Sequence, residues 1–233
     1  MKTICISQPR FFPSLHYLDR MLLCDVFVIL DTVQFNPRHF ENRTRLKSPQ
    51  GVWWFTVPTI KASHKQLILD TRIDNRRQWQ SDALKSIRHF YAGARMYQEH
   101  VEQIESLLSQ EYSWLVDLDI ASWGPALRSL TVECAFINAS QLSATGSGNQ
   151  LLVDICKELQ GDTYLSGPFG RDYLHPELFR QAGIALKFHD YQCPEYVQRF
   201  GEFDGTVSYL DVLFNSEIDR KFVGSGRCMS ERE

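Results

Sequence analysis

Residues 4–21 read ICISQPRFFPSLHYLDRM. Apolar and β-branched side chains at 3–6 predict a buried strand. The run stops at Gln8-Pro9-Arg10, where proline has no N–H for a ladder, and Pro13 closes the turn. From Ser14, a candidate N-cap, Leu15, Leu18, Met21 and Leu22 recur at helical spacing and predict a helix to about residue 24. A second apolar run, VFVIL at 26–30, ends in Asp31. Strand, helix and strand in about 30 residues is the length of a βαβ unit. Strands apolar at every position are covered on both faces, as in parallel sheets.

Outward from this stretch, residues 36–50 are polar and rich in Arg and Asn, and Gly51 opens the aromatic run GVWWFTVP. Arg45, Leu46 and Lys47, turning through Ser48-Pro49-Gln50-Gly51 into 52–57, predict a hairpin. Residues 76–91, 96–109 and 111–131 have helical spacing and no strand signal. The α/β signal returns after 141, with a helix at 151–159, a strand at 163–167, a helix at 176–183, a strand at 184–191 and a short helix in 206–215. The polar tail from Ser216 is expected to be loose. The expected fold is a mostly parallel, three-layer (Rossmann-like) α/β sheet, a single domain over 1–233 with a helical section at about 76–131 inserted mid-chain.

The chain has 233 residues, 43% hydrophobic and 23% charged, with a net charge of −3. That is an ordinary globular balance. A nucleic-acid partner is not indicated by charge and would need a local basic face. Six cysteines are scattered without a C-x-x-C pair, no secretory leader is recognisable, and no apolar run approaches 18 residues. These features predict reduced thiols, a cytoplasmic location and no membrane span. No histidines stand at ligand spacing, so no metal is expected, and no cofactor is expected either.

Ligands of open parallel sheets bind beyond the carboxyl ends of strands. The polar residues there are Gln8 and Arg10, then Asp31, Gln34 and Asn36, then Ser166, Gly167 and Arg171. Asp31 ends an apolar strand, where a carboxylate is a candidate base or amine ligand, or else a turn cap. Asn42, Arg43 and Arg45, with Arg38 and Lys47, form a cationic cluster suited to phosphate or carboxylate, or a solvated basic loop. Trp53 and Trp54 alternate, so one faces inward and the other is free to wall a ring. Phe11 and Phe12 are expected to divide in the same way. TGSGN at 145–149 lacks phosphate-loop spacing and reads as a turn with Asn149 as N-cap. His16 is a candidate base or an ordinary helix histidine.

Several segments together resemble the WbqC-like protein family. They are Q-P-x-F-F-P at 8–13 with Tyr17 and Asp19, V-x-L-D-x-V-Q-F at 28–35, N-R-x-R at 42–45, and W-x-T-V-P at 54–58. Y-L-S-G at 164–167 follows, with Tyr173, then P-x-Y-x-Q at 194–198 and S-x-x-D-x-L-F-N at 208–215, which holds Asp211 and Asn215. His16 stands where the family usually has a small residue, so the resemblance gives it no catalytic role; Ser216-Glu217 departs from the pattern too. The resemblance implies transfer chemistry joining an amine or amino acid to an activated partner, either an amino sugar of surface polysaccharide or a modified DNA base.

The expected function is accordingly a transferase. Asp31 and Gln8 would hold the amine, and Arg43 would act on a phosphorylated or nucleotide-linked acceptor. Gln34, Asn42, Arg45, Trp54, Tyr17, Ser166, Gly167, Tyr173, Asp211 and Asn215 would bind the substrates. One alternative is an adenylyl-transfer enzyme of nucleotidyltransferase type, although Ser14-Leu15-His16-Tyr17 matches neither histidine of the H-x-G-H motif. A non-catalytic nucleotide-sugar binding module is the other. Oligomeric state is left open.

Overall fold

The structure, a computed structural model, describes residues 1–61, 63, 65–224 and 227–230. The opening stretch forms β1 (Thr3–Ser7), α1 (Leu15–Leu22) and β2 (Val26–Ile29). Then come the hairpin β3 (Arg43–Ser48) and β4 (Gly51–Thr56) and the short pair β5 (Thr59–Ile60) and β6 (Arg72–Ile73). Helices α2 (Trp79–Tyr91), α3 (Tyr97–Leu108), α4 (Leu115–Ala121) and α5 (Gly124–Leu130) precede β7 (Ala135–Asn138). The chain continues through α6 (Gly148–Glu158), β8 (Thr163–Ser166), α7 (Pro176–Gln181), β9 (Ala185–Asp190), α8 (Tyr209–Asn215), α9 (Arg220–Val223) and β10 (Arg227–Ser230).

The central sheet runs β10-β9-β8-β1-β2-β7, parallel except for β10, which lies antiparallel to β9. The chain starts at the centre, builds outward through β2 to β7, then crosses back to place β8 on the other side of β1. The strand order therefore reverses between β1 and β8, the place where open α/β sheets form a ligand crevice.

Alternation along β1 and β2 divides the core between the two sheet faces. Ile4, Ile6, Val26 and Val28 pack with α6 and α7. Cys5, Phe27 and Ile29 pack with α1, the helical section and α8. Burial on both faces explains the unbroken apolar runs of the sequence.

Five local readings change. The 111–131 stretch is two helices, parted at Trp123 and Gly124-Pro125. β7 lies at 135–138, before the point where the strand signal was expected to resume. The tail is not loose over its described part, since it forms α9 and the edge strand β10. Ser147, not Asn149, occupies the N-cap of α6. Asn149 instead bonds the carbonyl of Tyr173 and the N–H of His175. Ser14 starts α1 but spends its hydroxyl on His16 Nδ1, not on the helix backbone.

Candidate functional site

The turn after β1 is fixed from every side. Phe11 N–H donates to Phe40 O at 3.0 Å, Phe12 N–H to Ser122 Oγ at 2.9 Å, and Trp123 Nε1 to Arg10 O at 2.8 Å. Thr44 Oγ1 donates to Phe12 O at 2.8 Å. These bonds hold Phe12 at φ +39, a conformation costing about 1–3 kcal/mol for a non-glycine residue. Both phenylalanines are core: Phe11 packs on Phe55 and Phe12 on Tyr209. The clamped backbone turns both inward, where they line a small apolar void with Leu46, Phe55 and Leu210.

Arg10 leaves this turn and meets His16, Nη1 to Nε2 at 3.1 Å. Arginine only donates, so Nε2 accepts and the proton sits on Nδ1, which faces Ser14 Oγ at 2.8 Å. Burial, then Arg10 and Arg20, hold His16 well below the usual histidine range. Arg10 itself is lowered to about 10 by burial and by the nearby Arg20.

Arg20 lies on the inward side of α1 and is 4% exposed. Its Nη2 donates to Ser7 Oγ at 3.2 Å, its Nη1 reaches Cys5 Sγ only at 3.9 Å, and its buried Nε has no partner. A Cβ built on Gly167 would stand 3.4 Å from Nη1, so glycine leaves room beside the guanidinium. The registers Cys5–Leu165 and Leu165–Lys187 bring Ser7, Gly167 and His189 side by side at the carboxyl edge. His189 Nε2 pairs there with Asp19 Oδ2 at 2.6 Å, both groups sealed from solvent.

A second group lies on the hairpin. Thr44, Leu46 and Phe55 turn inward, so Arg43, Arg45 and Trp54 share the other face. Arg43 Cζ sits 3.8 Å from the Trp54 ring centroid and Arg45 Cζ at 4.7 Å. Phe40 packs on Trp54 and takes Arg45 at 5.5 Å and Arg10 at 5.0 Å. Arg10 and Arg20 each stand 5.2 Å from the Tyr17 ring centroid. The result is a row, Arg20–Tyr17–Arg10–Phe40–Arg45–Trp54–Arg43, in which each ring has two guanidiniums within 5.5 Å of its centroid. Among the described residues, none of these four arginines has a carboxylate within ion-pair distance. Nε of Arg43 and Arg45 is also buried without a partner.

The other expected site residues fall elsewhere. The Asp31 carboxylate accepts from Asn138 Nδ2 at 3.0 Å, Ser140 N–H at 2.9 Å and Ser140 Oγ at 2.7 Å, which ties β2 to the turn after β7. Gln34 is exposed and bridges to Leu67 through its backbone. Asn42 is buried between Val57 O and Arg38 N–H, pinning the end of β4. Tyr17 is core, its hydroxyl donating to Gln8 O, and burial pushes its pKa up. Gln8 is half-buried just after β1, and Tyr173 is exposed. Ser166 is buried, with Gly170 packed on its hydroxyl.

Asp211 accepts from Tyr91 and Tyr196 hydroxyls at 3.0 and 2.9 Å. Burial raises its pKa against these bonds. Asn215 donates to Asp211 O and lines an open cavity of about 510 Å³ with Arg95, Tyr196, Arg199 and Phe222. Lys47 is buried beside this network, donating to Gln198 Oε1 at 2.6 Å and to Glu202 O.

Sequence reading missed Arg20, the Asp19–His189 pair, Phe40 and two sealed carboxylates. The signal for Arg20 was its position three residues after Tyr17, on the face of α1 that turns inward. Glu41 and Asp119 are 1% and 0% exposed, and no carboxylate oxygen of either has a hydrogen-bond partner. Burial raises both pKa values, and Glu41 pushes Asp119 further up.

The model of the WbqC-like protein family matches residues 8–221. The "Uncharacterized protein Rv1507c" of Mycobacterium tuberculosis (strain ATCC 25618 / H37Rv) is 28% identical over 218 residues, covering 92% of this chain and 94% of that protein. No solved structure matches. Among the described residues, no helix is long and apolar enough to cross a membrane.

Proposed function

The chain belongs to the WbqC-like protein family, and we propose that it is a transferase joining an amine or amino acid to an activated, phosphorylated or nucleotide-linked acceptor. The observation that carries this reading is the hairpin rack, where Arg43 and Arg45 stack on Trp54 and, among the described residues, have no carboxylate within ion-pair distance. A guanidinium fork fits a phosphate, and an indole face fits a sugar or base ring. Both acceptor classes that the resemblance implies, an amino sugar of surface polysaccharide and a modified DNA base, join a ring to phosphate.

In this reading Arg43 and Arg45 stabilise the charge that gathers on a departing phosphate. Gln8 orients the amine through a neutral donor and acceptor. Asp31 serves the fold, because its carboxylate is already occupied by Asn138 and Ser140.

The test is a turnover screen of nucleotide sugars and phosphorylated nucleosides against a panel of amino acids. Wild-type protein is expected to consume an amine and release phosphate or a nucleotide. Arg43→Ala should lower kcat/KM by about a hundredfold or more, the scale of one charge-stabilising group, while its melting midpoint stays within about 2 °C. Unchanged turnover removes Arg43 from the site. Binding without turnover across the panel points to a binding module, and ATP-dependent pyrophosphate release points to adenylyl transfer.

A further inference from the structure

At the carboxyl edge between β1 and β8, Arg20 and Arg10 have no ion-pair partner among the described residues. Arg20 is almost sealed, yet its five N–H donors find one normal hydrogen bond, to Ser7 Oγ, and a long contact to Cys5. Its Nε points at no acceptor. Arg10 stands over the same Tyr17 ring, so the two Cζ atoms lie within twice 5.2 Å of each other. Among the described residues no carboxylate stands within ion-pair distance of either arginine, and Glu41 acts on Arg10 only from farther away. Asp19 is taken by His189, and neither Glu41 nor Asp119 forms an ion pair with either arginine. His16 adds no charge, since its Nε2 accepts from Arg10.

A buried guanidinium without a counter-charge is costly. A buried group left unsatisfied in a native structure calls for an explanation, and a bound ion is one. The place also suits a ligand, because the strand order reverses here and Gly167 puts no side chain against Arg20.

We propose that this crevice is a phosphate subsite, in which Arg20, Ser7 and Arg10 hold a dianionic phosphate or the phosphates of a diphosphate beside Tyr17. The ligand carries at least two negative charges because two cations await it. A tetrahedral oxyanion uses the free Nε and Nη donors of Arg20 as a fork, and Ser7 Oγ lies within reach of the same group. Gly167 borders the guanidinium, since a Cβ there would lie in contact with Nη1 at 3.4 Å. The subsite is separate from the hairpin rack and does not depend on the chain being an enzyme.

Isothermal titration calorimetry tests it, with sodium pyrophosphate, inorganic phosphate and glycine as separate titrants. Wild-type protein is expected to bind pyrophosphate and phosphate one-to-one and glycine weakly or not at all. Arg20→Gln should weaken pyrophosphate binding about tenfold or more, the worth of one charged hydrogen bond. Arg88→Gln, a remote change at an exposed pair with Glu105, should leave it unchanged. Arg20→Lys keeps the charge without the fork and should bind with intermediate affinity, which decides the matter if Arg20→Gln does not fold.

Absence of phosphate and pyrophosphate binding overturns the proposal. So does equal binding by wild type and the Arg20 variants, or tighter binding of glycine than of phosphate. No turnover enters the measurement, so its failure leaves the Arg43 test untouched, and failure of the transferase reading leaves this subsite standing.

Discussion

Asp31 and Arg20 are two buried charges at the same carboxyl edge of one sheet, and their surroundings are opposite. Asp31, after β2, is 1% exposed and accepts three hydrogen bonds from Asn138 and Ser140. Arg20, over β1, is 4% exposed and makes one ordinary hydrogen bond, to Ser7. The first charge is complete within the chain, and the second is not. The lesson concerns how strand-end charges are read. A charge there marks a ligand site when its donors or acceptors remain unspent, and marks a joint of the fold when neighbouring strands consume them.

The largest expected effect follows from the completed side. Asp31→Ala leaves Ser140 N–H and the Asn138 amide without their acceptor and unties β2 from the turn after β7. A loss of about 3 kcal/mol is expected, since bonds to charged groups are each worth about 1.5–3 kcal/mol net. The melting midpoint should fall by roughly 6–12 °C. Arg20→Gln, on the incomplete side, should hold or raise the midpoint in phosphate-free buffer. If Arg20→Gln costs as much as Asp31→Ala, the two charges are equivalent joints and the contrast fails.

The sequence made one side of this contrast easier to see than the other. β1 and β2 were legible because both are apolar at every position, a pattern that burial on two faces demands. β7 was not, because AFIN is short, edge-placed and partly exposed, with Phe136 37% exposed. Its order comes from pairing to β2, which leaves no mark on its own composition. β10 was hidden for the same reason, as RCMS is short and mixed in character and is fixed by His189 and its neighbours on β9. The hairpin was legible from Arg45 onward, but its strand begins at Arg43, and it is this added length that lets period-two alternation place Arg43 and Arg45 on one face. Arg20 was not legible. Ser7, Gly167 and His189 meet around it through long-range strand register, and no local pattern states which charges remain unpaired.

A middle-sized effect tests the sealed carboxylates near the crevice. Asp119 is 0% exposed with both oxygens unbonded, and burial, then Glu41, raise its pKa well above the carboxylate range. In the folded state it keeps its proton at a pH where the unfolded chain has lost it. Stability therefore falls as pH rises past the unfolded value near 3.9. Asp119→Asn removes that penalty and keeps the shape. It should gain about 1–2 kcal/mol at pH 7 and nothing near pH 3.5, read by urea unfolding at both values. A loss at pH 7 instead would mean that Asp119 is charged and has a partner, and then the crevice is less positive than its hydrogen bonds indicate.

The smallest effect reads the crevice charge through His16. Burial depresses its folded pKa first, and the guanidiniums of Arg10 and Arg20 add to it. Below the unfolded value near 6.5 the unfolded chain takes up a proton that the folded one refuses. The stabilising share is thus complete above pH 6.5 and is lost as pH falls. At pH 5.5 the loss reaches at most about 1.4 kcal/mol, and about 1 kcal/mol is expected because His16 is only half-buried. His16→Gln should flatten the stability curve between pH 5.5 and 7. Arg20→Gln should flatten it partly, because burial and Arg10 still act on the ring. Equal slopes for wild type and Arg20→Gln would show that Arg20 does not press on His16, and the uncompensated charge would have to be balanced within the fold, as it is at Asp31.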